Sequence, residues 1–262
     1  MGEFDLSRIL VWPKRKLIGV TFRLKARFEA LPLVTAVTSK HSVMTAYFAS
    51  SPAVVGEDVP GIAFFDITDA DTPFSIILSE LESTGMVKIL EIIEPVAEGL
   101  LIDNISHPLT AGGERAIILR GAGYRDFVKG IKEQLDAAGK LFLYFEGCEM
   151  GKGYGKLHRS IAKAVGIKDP IEICRRVSLP AFQWAGFGRA EIIQISYSGG
   201  TVAIYDSFEC EGAKVTGEPY GDLTRGILAG VYCELFGKDC EVRETECLAK
   251  GDKRCVFEIK EK

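Results

Sequence analysis

Carboxylates and sulfur crowd residues 239–262. Glu244, Cys247 and Cys255 stand three and then eight residues apart, a carboxylate and two thiols of the kind that tetrahedral Zn²⁺ accepts. Gly251 and Asp252 carry turn chemistry between them, and Val256, Phe257 and Ile259 resume an apolar run, so the segment reads as a closing β-hairpin. On a regular strand Glu244 and Cys247 face opposite ways, so a shared metal requires a bend or bulge between them. Cys240 has the parity of Glu244, but four residues of strand put it roughly 13 Å away. Cys210, at the end of the preceding predicted strand, supplies a fourth ligand if the sheet brings it to the same end. The alternative is a metal-free thiol cluster. With four protein ligands the zinc would be structural, since a closed site leaves no position for water.

The remaining chemistry is sparse. Seven cysteines cannot all pair within one chain, and Cys174 and Cys233 lie in apolar helical patterns as small hydrophobes. The three histidines, His41, His107 and His158, fall in separate predicted elements and none stands beside a nucleophile or a paired carboxylate. Glu209 with Glu211, and Glu244 with Glu246, are two apart and share a strand face, which reads as a solvated acidic face. No catalytic residue is assigned. Gly151 and the Gly155–Lys156 pair miss P-loop spacing by one residue, and no Gly-x-Gly-x-x-Gly joins a strand to a helix.

A pocket is the better prospect. Phe182, Trp184 and Phe187, interleaved with Gly186 and Gly188, are candidate pocket-lining aromatics; the plainer reading is core filling under a tight turn. Gly147, Gly151 and Gly155 recur every fourth residue, along one ridge of a helix that another helix can approach closely. His158 lies on that helix, facing either solvent or the pocket.

These residues need elements to hold them. Residues 16–24 form a strand, a helical stretch follows through Leu31, Val34 and Val37, and strands come at 46–49 and 61–67. Thr72 is the predicted cap of a helix with Pro73 at its first position, and residues 87–93 close the unit as a strand. The order is β-α-β-β-α-β over residues 1–95, a ferredoxin-like unit whose proportions resemble ACT-type regulatory domains. Residues 96–116, with Gly112–Gly113, read as a linker. Beyond it come a short strand at 116–119, helices at 124–138 and 140–163, a hairpin at 190–208 turning at Gly199–Gly200, a helix at 220–235 and the closing hairpin. The class is α+β, with an antiparallel sheet packed against helices.

Composition narrows the partners. Hydrophobic residues make up 47 % and charged residues 26 % of 262, enough for a sizeable core. A net charge of −4 with one basic cluster, Lys14–Arg15–Lys16, argues against direct nucleic-acid binding. No apolar run has the roughly 20 residues of a membrane helix, and residues 1–5 carry no secretory pattern, so no membrane association and a cytoplasmic location are expected.

Glu-Thr-Glu-Cys at 244–247, Ala-Lys-Gly-Asp at 249–252 and Cys-Val-Phe at 255–257, with Arg225–Gly226 to Gly230 and Asp206–Ser207–Phe208–Glu209 upstream, resemble the signature of the 4-vinyl reductase domain family over residues 117–262. The resemblance implies a module that binds a small apolar or aromatic molecule between sheet and helices, as a sensor or regulatory protein, and a homodimer to which glycine-ridged helices offer surfaces. It implies zinc on Glu244, Cys247 and Cys255. The family's further cysteine aligns near Gly221 and is absent, which leaves Cys210 as the replacement. Two other readings accompany it: an enzyme or enzyme subunit in tetrapyrrole vinyl reduction, and an adaptor similar to vesicle-tethering complex subunits.

Overall fold

The computed structural model describes residues 5–6, 8–27, 29–52, 55–211, 213 and 217–262. Residues 1–4, most of the segment expected to carry no secretory pattern, lie outside them. The chain divides into two compact units, residues 1–116 and 117–262. No helix among the described residues is long and apolar enough to cross a membrane.

The first unit contains β1 (Ile9–Val11), β2 (Leu17–Lys25), α1 (Ala30–Lys40), β3 (Met44–Ser50), β4 (Asp58–Asp66), α2 (Phe74–Ser83), β5 (Val87–Ile93) and β6 (Leu100–Ile102). Its main sheet is antiparallel in the order β3-β4-β2-β5, the ferredoxin-like arrangement of the expected βαββαβ order. Strand β2 is apolar almost throughout because both of its faces are covered. Val20 and Phe22 join Phe65 and Ile77 in one core cluster, while Leu17 joins Phe64, Leu10 and Leu101 in another.

Three local expectations change here. Residues 96–116 carry structure: β6 pairs with β1, and β7 (Thr110–Ala111) pairs with β8 (Glu114–Arg115). Gly112 and Gly113, with φ of 61° and 87°, form the tight turn of that hairpin, so the residues that suggested a linker are turn residues. Thr72 does not cap α2; Pro73 takes the cap position and the Thr72 hydroxyl lies 3.0 Å from His41 Nδ1. Residues 116–119 form no strand, and Ile117, Ile118 and Leu119 are exposed.

The second unit begins with α3 (Gly121–Ala164), broken at Asp136, whose φ of 45° and ψ of −124° are non-helical. The break turns the chain back on itself: a Cβ on Gly139 would lie 2.5 Å from the Ile131 carbonyl oxygen. The chain continues through α4 (Pro170–Ile173), a π-helical turn (Cys174–Ser178) and α5 (Leu179–Trp184). After β9 (Arg189–Ser196), β10 (Gly199–Tyr205) and α6 (Asp222–Phe236), it ends with β11 (Cys240–Glu246) and β12 (Cys255–Glu261). The sheet is antiparallel in the order β11-β12-β10-β9.

The β9–β10 turn falls at Tyr197–Ser198; Gly199 and Gly200 belong to the strand, where crowding demands them. A Cβ on Gly200 would meet the Gln194 carbonyl oxygen at 2.8 Å, and one on Gly199 would overlap that of Ile259. The glycine ridge of α3 is used within the chain. Gly147 and Gly151 face Gly226 and Gly230 of α6, and a methyl on any of the four would collide with the opposite backbone. The ridge is therefore consumed by α6 and offers no surface for a second copy.

Candidate metal centre and ligand cavity

The metal candidates converge because three elements end at one place. Strand β12 contributes Cys255, the turn after β11 contributes Cys247, and the segment after β10 contributes Cys210. The strand-parity conflict is resolved by a bulge: Glu244 pairs with Phe257 and Glu246 with Val256, leaving Thr245 as the extra residue. The turn is held by Cys247 N–H donating to Asp252 Oδ2 at 2.8 Å, and by Leu248 N–H donating to Cys255 Sγ at 3.5 Å.

One donor atom from each of Cys210, Glu244, Cys247 and Cys255 lies within 4.8 Å of the others, and all four residues are buried. Cys210 Sγ is 3.7 Å from Cys247 Sγ and 3.6 Å from Cys255 Sγ. A tetrahedral zinc with bonds of about 2.3 Å to sulfur spaces its thiolates by about 3.8 Å, so these sulfurs already stand at ligand-to-ligand distance. Glu244 Oε2 accepts from Gly221 N–H at 2.9 Å, while Oε1 is buried with no hydrogen-bond partner. An orphaned carboxylate oxygen beside three thiols is a donor set that fits zinc. Without a metal the electrostatics are costly: burial pushes the Glu244 carboxyl up to about 8. Hydrogen bonds from Cys210 and Cys255 hold Cys247 far down, in its thiolate form.

Gly221 stands at this centre although it has no ligand atom. A Cβ built on it would lie 3.1 and 3.2 Å from the two Glu244 carboxylate oxygens. Gly221 also occupies the cap position of α6, which leaves the helix without a capping side chain. Glu209 fills that role from the neighbouring segment, accepting from Leu223 N–H at 3.1 Å, Thr224 N–H at 2.9 Å and Thr224 Oγ1 at 2.8 Å. Lys132 approaches Glu209 at 3.4 Å and Asp222 at 3.2 Å, closing a buried ion network. The solvated face expected for Glu209 and Glu211 is thus split. Glu211 is exposed and pairs with Arg125, whereas Glu209 is buried because the segment leaves the strand before reaching it. Spacing in the sequence carries no signal of that.

A cavity of about 170 Å³ lies between the sheet and the helices of the same unit. Phe182, Phe187 and His158 line it, together with Tyr154, Ser178 and Tyr232, which sequence reasoning passed over. Phe187 packs edge-on against Phe182 at 5.2 Å, and Tyr154 stacks on His158 at 6.3 Å. Trp184 touches the cavity but is 75 % exposed, so it stands at the rim and does not anchor the interior. His158 is 6 % exposed, against the solvated helix position that was one reading of it. Burial pulls its pKa down, which keeps the imidazole neutral. Its Nδ1 and the Ser178 Oγ are both buried without a hydrogen-bond partner. Two unmatched polar atoms in an otherwise apolar chamber are what a ligand with one polar group would satisfy.

Residues 201–261 match the family model of the 4-vinyl reductase domain. Two Methanocaldococcus jannaschii proteins, both uncharacterized, share sequence with this chain. MJ1642 is 37 % identical over 59 residues, 22 % of this chain and 37 % of that protein; MJ1460 is 50 % identical over 44 residues, 17 % and 27 %. The matches therefore span about a third of these relatives' lengths. Among solved structures, the phenol-responsive sensory domain of the transcription activator PoxR, in complex with phenol, superposes with a TM-score of 0.50. It is 20 % identical and covers 56 % of this chain and 77 % of its own. A vinyl-4-reductase family protein from M. jannaschii is 26 % identical with a TM-score of 0.40, covering 56 % and 84 %. The first likeness is one of fold, an antiparallel sheet with packed helices. The sequence match to the 4-vinyl reductase domain falls wholly within the second unit, on the strands and helix that carry the sulfur cluster.

Proposed function

We propose that this protein is a cytoplasmic ligand-binding regulatory protein whose second unit takes up a small, neutral, apolar or aromatic molecule, with a structural zinc pinning the sheet end beside α6. The observation that carries the reading is the pairing of an apolar cavity of about 170 Å³ with two orphaned polar atoms, His158 Nδ1 and Ser178 Oγ. An engineered apolar cavity of about 150 Å³ takes up benzene, so this volume suits a single ring with one polar substituent. Among the described residues no Lys or Arg lines the chamber, and His158 is held neutral, which disfavours an anionic ligand. The volume also disfavours a tetrapyrrole, a macrocycle of four such rings.

Zinc would be held by Cys210, Glu244, Cys247 and Cys255, and would supply cross-linking of the two hairpins to the base of α6 rather than chemistry. Dimerisation, if it follows the family, would use a face of α3 other than the glycine ridge; Leu141, Phe142 and Phe145 are exposed there. The N-terminal unit, ACT-like in topology, would be the output or regulatory partner of the sensor.

The test is a thermal-shift and calorimetric screen of neutral monocyclic compounds against the purified full chain. A ligand that raises the melting temperature, and loses at least tenfold in affinity when Phe187 is replaced by Trp to fill the chamber, supports the reading. Compounds that bind equally well to the filled variant, or none that bind at all, would sink it.

A further inference from the structure

A second group of sulfur atoms lies outside the metal centre. Cys233, in the last turn of α6, and Cys240, the first residue of β11, face each other with their Sγ atoms 3.5 Å apart. The connection between them is tight: Gly237, with φ of 68°, ends α6 in a left-handed cap whose N–H donates to the Cys233 carbonyl at 2.9 Å. Cys240 Sγ is held by the Ala229 carbonyl oxygen at 3.7 Å. The pair is asymmetric in access. Cys233 is half-buried, whereas Cys240 is 4 % exposed and packed in the core. Among the described residues, the group that can hold a metal contains neither of them.

We propose that Cys233 and Cys240 are a redox modification site, a thiol pair that a hydroperoxide converts reversibly into a disulfide clasping the end of α6 to the start of β11. Access orders the steps. The Cys233 thiolate attacks one peroxide oxygen; a sulfur–oxygen bond forms, the oxygen–oxygen bond breaks, and hydroxide leaves. Cys233 is then a sulfenic acid, its sulfur oxidised and the peroxide reduced. Cys240 sulfur displaces the hydroxyl group; the sulfur–sulfur bond forms, the sulfur–oxygen bond breaks, and hydroxide leaves with the Cys240 proton as water. In sum, two thiols and one hydrogen peroxide give one disulfide and two waters. The buried Cys240 thiol, whose pKa burial raises, is suited to the second step, where it needs contact with a neighbour and no access to solvent. The clasp would fix the helix that carries Val231 and Tyr232 of the cavity wall, so oxidation reports on the same wall that a ligand touches.

The experiment treats the full-length, metal-loaded chain with a small excess of hydrogen peroxide, quenches it, alkylates the remaining thiols after unfolding, and maps the peptides by mass spectrometry. The expected result is loss of two hydrogens on the peptides holding Cys233 and Cys240, both protected from alkylation, with full recovery in dithiothreitol and unchanged zinc content. In C233S the link and the protection of Cys240 disappear together. In C240S, if it folds, Cys233 persists as a sulfenic acid captured by dimedone. The proposal is overturned by a cross-link from Cys233 to Cys148 on α3, by stable oxygen addition at Cys233 in the unmutated protein, or by zinc release while Cys233 and Cys240 stay reduced.

Discussion

Cys210 and Cys255 stand 45 residues apart in the chain, yet their sulfurs are 3.6 Å apart beneath the N-terminal end of α6. One comes from a segment leaving β10 and the other from the start of β12, adjacent strands of the same sheet, so pairing of the strands is what brings the thiols together.

If that cluster holds zinc, replacing Cys247 or Cys255 by Ser should abolish stoichiometric zinc and lower the melting temperature by roughly 5–15 °C, since a structural zinc contributes several kcal/mol of folding free energy. Elemental analysis together with a thermal melt checks this. Unchanged stability in a zinc-free variant would remove the structural role.

The ligand set should be movable. Gly221 has φ of −81°, which any residue adopts, and its Cβ position looks onto Glu244. C210S alone should therefore lose metal, and the double variant C210S/G221C should regain at least half of it, with Glu244 giving way by a few tenths of an ångström. Failure of the second cysteine to restore zinc while the protein stays folded would show that position 221 does not face the metal.

The glycines of α3 and α6 should divide sharply. Gly230→Ala or Gly151→Ala drives a methyl into the facing helix backbone and should cost about 2–4 kcal/mol in urea unfolding. Gly153 has open space around its Cβ position and an exposed helical site, so Gly153→Ala should stabilise by about 0.5–1 kcal/mol through reduced backbone entropy. Equal effects at the two kinds of site would contradict the packing.

His158 makes stability depend on pH with a definite sign. Its folded pKa lies below the unfolded value of about 6.5, so as pH falls through 6.5 the unfolded chain gains a proton that the folded chain refuses. Stability contributed by the neutral imidazole is thus full above pH 6.5 and lost on acidification towards the folded pKa. Tyr154, Cys174 and Tyr232, which share the cavity, are pushed upward by burial and keep their protons throughout this window. Melting curves between pH 5 and 8 should show the gap between the unmutated protein and H158Q narrowing as pH falls. A constant gap would mean that the ring is protonated or solvated in the fold.

Local patterns in the chain already contain much of this protein. Alternation and turn residues place the strands of both units, four-residue glycine spacing marks the helix that must be approached closely, and the parity of Glu244 and Cys247 demands the bulge that Thr245 provides. These succeed because they depend on neighbours a few residues away, where backbone periodicity decides which side chains share a face. Other features are set by distant partners and are invisible to periodicity. Gly112–Gly113 reads alike as linker or hairpin turn until β7 meets β8, and Gly199 reads as a turn until β12 crowds it. Glu209 looks like a solvated neighbour of Glu211 until the uncapped N-terminus of α6 arrives to receive it. The cavity shows the same division. Aromatic composition at 182–187 announces a pocket wall, but only the packing of α3 against the sheet buries His158 and leaves Trp184 at the rim, because burial is a property of what comes from elsewhere in the chain.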